Sequence, residues 1–308
     1  MSDTISYLAV DAGRGGTAVR LVTPEGTHEA QHPGMLPGRP LPPQWAAVIH
    51  DFLAEHPDAR PTALALGSSG LVGPGAHEVL PLVLDAGITS VAVAHNSVTS
   101  YLGALGTEKG CVIAASTGAI CLAMGEHDVA RVDGWGNLMG DAGSAYWIGR
   151  TALEAAMRGY DGRRQLTALT GAVAAEFPSL ESAYVELAAD PEHVRRIAAF
   201  ADLVEQLAPT DRVAANILDK AAAHLSEAVQ AAIRRVGLTG PTPPHVVAIG
   251  RVFESERVRS RFCDYLTLQW PSFALKEAKG SMLDGTAALL TLPVTTPLYQ
   301  QVAYAEHG

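Results

Sequence analysis

Short apolar segments that each run into a turn of glycine or small polar residues constrain the fold of this chain most. Four of them cover residues 6–10, 63–66, 91–94 and 111–115, and the turns that follow begin at Asp11, Gly67, His95 and Ser116. Segments of this kind predict β-strands. In open α/β sheets, ligands bind at the carboxyl ends of the strands. The pattern therefore predicts an α/β protein with one cleft lined by backbone N–H groups.

The length of the chain predicts two domains. It has 308 residues, and a single hydrophobic core stops growing at roughly 250–300 residues. From residue 144 the apolar spacing becomes helical over about a hundred residues. A late apolar strand follows at 246–249, and the last helical signal covers 285–292.

Charge and cysteine content limit the classes of partner and the compartment. The chain has 22 basic and 32 acidic side chains, a formal net charge of −10. This balance argues against nucleic acid or an anionic membrane as a partner. The three cysteines form no C-x-x-C pair, so neither a zinc nor an iron–sulfur site is expected, and their small odd number favours a reducing compartment. We see no secretory signal and no membrane span, and we expect a cytoplasmic protein.

The first glycine turn follows the first strand and covers residues 11–17. Its glycines permit positive φ angles and let a phosphate approach the main chain. Asp11 at the strand end can orient water on Mg²⁺. A tight hairpin with an aspartate at the strand end is the alternative interpretation.

The second glycine turn has the sequence Ser116-Thr117-Gly118-Ala119 and again lies between two strands. Alone it is also compatible with an ordinary hairpin. Together, the two turns are what two duplicated, facing domains would provide if each gave one loop to the same triphosphate.

The third motif is the segment 134–149, whose first ten residues contain four glycines. Trp135 offers a flat apolar face that suits the C–H side of a sugar, and Asp141 offers two acceptors for sugar hydroxyls. Ser144 is placed to cap the helix that follows. The alternative is a glycine-rich loop that packs its tryptophans into the core, which is the interpretation that we favour for Trp147.

This segment resembles the signature of the N-acetylglucosamine kinases and of the wider BadF/BadG/BcrA/BcrD group in the actin–hexokinase superfamily. The signature reads G-W-G-x-x-x-G-D-E-G-S-x-Y-W-I-G, and this chain departs from it with Ala142 in place of Glu. The order of the other turns agrees with the family over nearly the whole chain, from Asp11 to the late glycine Gly250.

The resemblance implies an α/β fold of two RNase H-like (actin-like ATPase) domains with an interdomain cleft. We expect an N-terminal actin-like domain over residues 1–106, completed by a C-terminal helix at 288–308. A C-terminal actin-like domain with a helical insertion would cover residues 107–287.

The resemblance also implies an activity, the transfer of the ATP γ-phosphoryl group to an amino-sugar hydroxyl with ATP and Mg²⁺. The expected partners are a sugar or amino sugar and ATP, and a homodimer is a possible assembly. Asp11 would hold the metal through water and Gly250 would contact the adenosine. The other implied residues are, for the phosphates, Gly13, Arg14, Gly15, Thr17, Ser116, Thr117 and Gly118, and, for the sugar, Ser69, Gly70, Gly134, Trp135 and Asp141.

The position of the catalytic base departs from the family pattern. Family members carry an aspartate where this chain has Ser97, which we expect to cap a helix beginning at Val98. His95, two residues earlier, could substitute as the base. General base catalysis contributes about 10²–10⁴-fold, and phosphoryl transfer depends mostly on positioning and charge stabilisation. Two hypotheses therefore stay open: a sugar kinase, or a catalytically impaired member that binds nucleotide or sugar as a sensor or scaffold.

Overall fold

The computed structural model describes residues 6–71, 73 and 75–308. The polar residues 1–5, which contributed to our expectation of no secretory signal, lie outside this part. The chain forms two compact units. The first contains the described residues up to Lys109, together with Met124–Val129 and Glu277–Gly308, and the second contains Gly110–Ala123 and Ala130–Lys276.

The strands of the described residues are, in chain order, β1 (Tyr7–Ala12), β2 (Thr17–Thr23), β3 (Gly26–His32), β4 (Ala63–Ser68), β5 (Ser90–His95), β6 (Gly110–Ala115), β7 (Ala119–Met124), β8 (Val129–Asp133), β9 (Val246–Ile249) and β10 (Val302–Glu306). The α-helices are α1 (Leu41–Ala54), α2 (Ala76–Val79), α3 (Asn96–Leu105), α4 (Ala145–Tyr160), α5 (Ala168–Ala174), α6 (Ala183–Ala189), α7 (His193–Leu207), α8 (Arg212–Arg235), α9 (Glu256–Thr267) and α10 (Met282–Ala287).

The first unit is built on a six-stranded sheet with the order β10-β5-β4-β1-β2-β3. β1, β4 and β5 run parallel, while β2, β3 and β10 are antiparallel to their neighbours. The register places His95, Ser68, Ala12, Thr17 and His32 in one row across five strands. The turns that follow β1, β4 and β5 therefore lie at one edge of this sheet.

The core of the first unit lies on one face of the sheet. Alternate residues of β1, such as Leu8 and Val10, are fully buried and belong to the same cluster as the side chains of α1. Trp45, Ile49 and Phe52 form the buried face of that helix. This apolar face packs α1 against the sheet.

The second unit has a four-stranded sheet, β8-β7-β6-β9, in which β6 and β9 are parallel. The predicted helical region contains α4 to α8, and these helices pack with α9 around the second core. Trp147 lies against this core, with its ring 5.0 Å from that of His224. Its core role is confirmed.

The C-terminal segment differs from our expectation. In place of a helix over 288–308, the chain forms short 3-10 turns at Ala288–Thr291 and Pro297–Gln301 and then β10, which pairs antiparallel with β5. Ala305 of β10 is buried in the first core, so this strand adds to the packing of the unit. Residues 277–287, which we assigned to the second domain, group with the first unit.

Candidate functional site

The first glycine turn is held in place by the loop that follows β3. Gly13 donates a backbone hydrogen bond to Gly16 (3.0 Å), and Met35 donates one to Gly13 (2.9 Å). A Cβ on Gly34 would collide with the carbonyl of Arg14, so only glycine fits there. Arg14 and Gly15 remain exposed at the tip of the turn. The tip is therefore a fixed backbone loop open to solvent.

Thr17 supports this turn from inside. It is fully buried, and its hydroxyl donates to the carbonyl of Pro33 at 3.1 Å. Its observed contacts therefore stabilise the loop, and its predicted contact with phosphate stays a prediction.

Asp11 has an unusual environment at the end of β1. Its Oδ1 atom is buried and has no hydrogen-bond partner among the described residues. Burial raises the pKa of this carboxyl from 3.8 to about 6. A buried polar atom without a partner is rare in native structures, and it fits a site that is completed by a cation or its water.

The turn after β4 lies next to the first glycine turn. The N–H of Ser69 donates to the carbonyl of Ala12 at 3.1 Å, and Gly70 has a φ of 72°. The hydroxyl of Ser69 is buried and has no partner among the described residues. Two buried polar atoms without partners thus lie at the ends of neighbouring strands, one on Asp11 in β1 and one on Ser69 just after β4.

The structure corrects our expectation for Ser97. Helix α3 begins at Asn96, and its N-cap is His95. Nδ1 of His95 accepts a hydrogen bond from the N–H of Ser97 at 3.1 Å and lies 3.0 Å from the Ser97 hydroxyl oxygen. Ser97 itself is buried in the first turn of the helix. His95 is the residue immediately before the first helical residue, Asn96, so its imidazole is placed to accept from the N–H of Ser97.

This arrangement defines the protonation of His95. Because Nδ1 accepts from a backbone N–H, the neutral ring carries its proton on Nε2. Proton uptake at Nδ1 would break the cap of α3, and the loss of a cap costs about 0.5–2 kcal/mol.

The second glycine turn docks on the N-terminus of α4. The carbonyl of Ser116 accepts from the N–H of Ala145 (2.9 Å), and that of Thr117 accepts from Tyr146 (3.2 Å). These bonds satisfy N–H groups that a helix start otherwise leaves without partners. The side chains of Ser116 and Thr117 remain exposed.

Asp141 joins the third motif to this turn. Its Oδ1 accepts from the N–H of Ala119 at 3.3 Å, and a Cβ on Gly118 would lie 2.9 Å from its Oδ2. Only 9% of Asp141 is exposed. The structure therefore brings the predicted sugar residue Asp141 and the predicted phosphate turn together within one unit.

Asp133, at the end of β8, holds the loop that contains Trp135 and was missed in the sequence. Its carboxylate accepts from the N–H groups of Gly134 (2.7 Å), Asp141 (2.7 Å) and Ala142 (3.0 Å). Asp133 and Asp141 both have a φ of 60°, a region where aspartate is tolerated better than most residues. The sequence offered only a weak indication of this role, because the spacing does not show which backbone N–H groups an aspartate before Gly134 accepts from.

Trp135 lies on the outside of this loop. Trp135 is 54% exposed, and its neighbours Leu138 and Met139 are 91% and 82% exposed. The guanidinium carbon of Arg131 lies 4.7 Å from the ring centroid. Trp135 is therefore not a core residue, and at least part of its ring is open to a ligand.

Gly250, the predicted adenosine contact, precedes Arg251, which lines a cavity in the second unit. Its φ of 97° and its approach to the Ala115 carbonyl exclude a side chain there. The cavity of about 220 Å³ lies among α4, α7, α8 and α9. Its polar lining includes Arg251, whose Nη2 donates to Asp202 at 2.7 Å.

A family model for the BadF/BadG/BcrA/BcrD ATPases matches residues 70–279, more than half of the chain. The chain belongs to the BadF/BadG/BcrA/BcrD ATPase family. The family resemblance that we drew from the segment 134–149 is thus confirmed, and membership implies the use of ATP.

A curated relative in this comparison is the N-acetylmuramic acid/N-acetylglucosamine kinase of Clostridium acetobutylicum. It is 25% identical over 206 residues, which make up 65% of this chain. The alignment spans 66% of the length of that relative.

Two solved structures of candidate N-acetylglucosamine kinases are similar in fold. The protein from Chromobacterium violaceum has a TM-score of 0.74 at 25% identity and covers 93% of this chain and 99% of its own. The protein from Porphyromonas gingivalis has a TM-score of 0.72 at 15% identity, over 92% and 98% of the two chains. These likenesses confirm the two-domain actin-like fold.

Within the described residues, none of the helices combines the length and the apolar character needed to cross a membrane. The cytoplasmic location stays a prediction, as do the homodimer and the exclusion of nucleic acid.

Proposed function

We propose that this family member is an ATP-dependent kinase that phosphorylates a hydroxyl of an amino sugar. The observation that carries the proposal is the contact of Asp141 with the second glycine turn, through the N–H of Ala119. A carboxylate that positions a sugar hydroxyl beside a backbone loop that holds phosphate is the arrangement that phosphoryl transfer requires. The names of the relatives support an amino sugar as the acceptor.

The nucleotide would use main-chain donors of the glycine turns. In this proposal Gly13, Arg14 and Gly15 at the first turn and Ser116 to Gly118 at the second contact the phosphates. The adenosine occupies the cavity of about 220 Å³ next to Gly250, which is lined by apolar side chains such as Ile148, Leu218 and Val258 and by the charged side chains of Asp202, Glu205 and Arg251. Thr17 supports the first turn from below.

The magnesium ion fits the environment of Asp11. No group of three or more His, Cys, Asp or Glu side chains in the described residues is arranged to hold a metal. The ion would therefore take its ligands mainly from nucleotide phosphates and water, and Asp11 would accept from that water through the Oδ1 atom that has no protein partner. A bound Mg²⁺ supplies charge neutralisation on the phosphates.

The sugar would lie against the third motif. Trp135 contributes its open ring surface, and Asp141 accepts from a hydroxyl beside its contact with Ala119. The backbone at Gly134 lines the same loop. Ser69 and Gly70 are further candidates for sugar contacts.

Ser97 and His95 would activate the acceptor hydroxyl only weakly. Serine does not take up a proton at neutral pH, and proton uptake at Nδ1 of His95 removes the cap on α3. Loss of a general base lowers the rate by about 10²–10⁴-fold. A slow kinase is the expected result.

The alternative is a catalytically impaired member that binds nucleotide or sugar as a sensor or scaffold. The mutual hydrogen bond of His95 and Ser97 favours it, because each group already has a partner. A panel of amino sugars and hexoses with ATP and Mg²⁺, read by ADP release, separates the two. Sugar-dependent ADP release supports the kinase, whereas nucleotide binding by calorimetry without turnover on any sugar supports the sensor.

A further inference from the structure

One face of α7 lines the cavity in the second unit. Four residues with the spacing of a single helical face contribute to it: Ala198, Ala201, Asp202 and Glu205. Two of them are bonded to the segment that follows Gly250. The guanidinium of Arg251 donates to Asp202 at 2.7 Å, and the hydroxyl of Ser255 donates to Oε2 of Glu205 at 2.5 Å. The two carboxylates of this face are therefore positioned by contacts with a second part of the cavity wall.

Glu205 is both held in place and able to accept further hydrogen bonds. The oxygen of Ser255 accepts from the N–H of Val258 at 3.3 Å as the N-cap of α9, so its proton is directed to Glu205. A carboxylate has about four acceptor positions, and this hydroxyl occupies one. The other paired carboxylate of the face is already balanced by a guanidinium. The carboxylate of Glu254, which also lines the cavity, has no hydrogen-bond partner among the described residues to fix it. Glu205 is therefore the carboxylate best prepared to receive a donor from a ligand.

The charge of the lining decides which part of a nucleotide can lie there. The lining contains three carboxylates and one guanidinium, an excess of two negative charges. This excess repels phosphate and favours uncharged groups that donate hydrogen bonds. The phosphates have a place nearby, because Ala145 also lines the cavity and donates to the carbonyl of Ser116 in the second glycine turn. A nucleotide held by that turn would extend its nucleoside along α7, where the two neighbouring ribose hydroxyls are the available donors.

We propose that Glu205 selects the ribose of the nucleotide by accepting a hydrogen bond from its 2′ or 3′ hydroxyl. The phosphate donors of this protein are then ribonucleotides, and nucleotides without these hydroxyls are disfavoured. The inference rests on the proposed function, because it assumes that the nucleoside occupies this cavity. The apolar side chains of Ile148, Leu218 and Val258 would contact the base.

Calorimetric titration of the full chain with ADP and with 2′,3′-dideoxy-ADP, both with Mg²⁺, tests this role. The wild type should bind ADP about 10–100-fold more tightly than the dideoxy analogue, the range for a hydrogen bond to a charged group. Glu205→Ala should remove most of this preference, and Glu205→Gln, which keeps a neutral acceptor, should retain part of it. Glu256→Ala is the matched control, because it removes an exposed carboxylate of the next segment that does not line the cavity.

The outcomes separate this inference from the proposed function. Equal binding of the two nucleotides, or a preference that Glu205→Ala leaves unchanged or that Glu256→Ala removes equally, would overturn the role of Glu205 and leave the kinase proposal standing. A preference for ADP that depends on Glu205, in a protein that phosphorylates no sugar of the panel, would support the role of Glu205 and overturn the kinase. Binding of neither nucleotide would overturn both.

Discussion

Asp11 is expected to be less favourable in its ionised form, because its carboxyl is buried and one oxygen lacks a partner in the described residues. Its pKa of about 6 is raised above the value of 3.8 expected for the unfolded chain. A group of this kind contributes stability that is fully present below the unfolded pKa and is lost as the pH rises through the folded pKa. A bound cation would restore favourable ionisation, which connects the strain to the proposed site.

Asp11→Asn should therefore stabilise the ligand-free protein at pH 8, because asparagine does not ionise. The gain is at most about 3 kcal/mol, from about 1.4 kcal/mol for each pKa unit, and it should fall towards zero near pH 4. Urea unfolding at both pH values measures it. Asp51→Asn, at an exposed position of α1, controls for the loss of one negative charge. An equal gain at both pH values would contradict the account.

By the resemblance drawn from the sequence, Ser97 stands at the position where family members carry an aspartate base. Ser97→Asp should increase kcat for sugar phosphorylation by about 10²–10⁴-fold if the rest of the site is intact. Ser97→Ala should change kcat little, since the serine hydroxyl does not act as a base. Steady-state kinetics of both variants give the comparison. A folded Ser97→Asp protein that binds nucleotide but turns over no faster would argue against an intact site.

At the scale of elements, the loop from Asp133 to Gly143, in the third motif, is tied to the second glycine turn. Asp133 ties both ends of the loop through the N–H groups of Gly134, Asp141 and Ala142. Asp141 then contacts Ala119. The loop and the turn should therefore respond together when one anchor is removed.

Asp133→Asn should loosen this loop, because an amide has one acceptor oxygen and turns its NH₂ group toward the remaining N–H donors. Hydrogen bonds to charged groups are worth about 1.5–3 kcal/mol, so amide exchange at Gly134, Asp141 and Ala142 should accelerate by about tenfold or more. Hydrogen-exchange mass spectrometry reads these amides and that of Ala119. Asp128→Asn, at an exposed position, is the control. Unchanged exchange in the loop would show that Asp133 is dispensable for its position.

The sequence predicted the strand ends and glycine turns well, because a short apolar run followed by glycine has few other structures. The sequence did not show which side chain would accept from a given backbone N–H group. His95 replaced Ser97 as the cap of α3, and Asp133 accepts from the amide of its neighbour Gly134 and from those of Asp141 and Ala142, eight and nine residues later. Neither choice leaves a periodic signal.

At the scale of the whole molecule, the C-terminal segment completes the sheet of the first unit. β10 adds to the edge of β5, and α10 packs on α3 where a Cβ on Gly103 would strike the Ser281 carbonyl. A five-residue strand after two 3-10 turns is too short for its period to be read from the sequence. An adenosine contact was expected at Gly250, but the lining of the cavity next to it could not be predicted, because it comes from helices far apart in the chain.

The most direct test of the central claim is to identify the product. The purified protein, ATP and Mg²⁺ are incubated with N-acetylglucosamine or N-acetylmuramic acid, and the sugar fraction is analysed by mass spectrometry. We expect at least one sugar to gain the mass of a phosphoryl group, with one ADP formed for each phosphorylated sugar. ADP without a phosphorylated sugar, or neither product from a protein that binds nucleotide, would contradict the assignment as a sugar kinase.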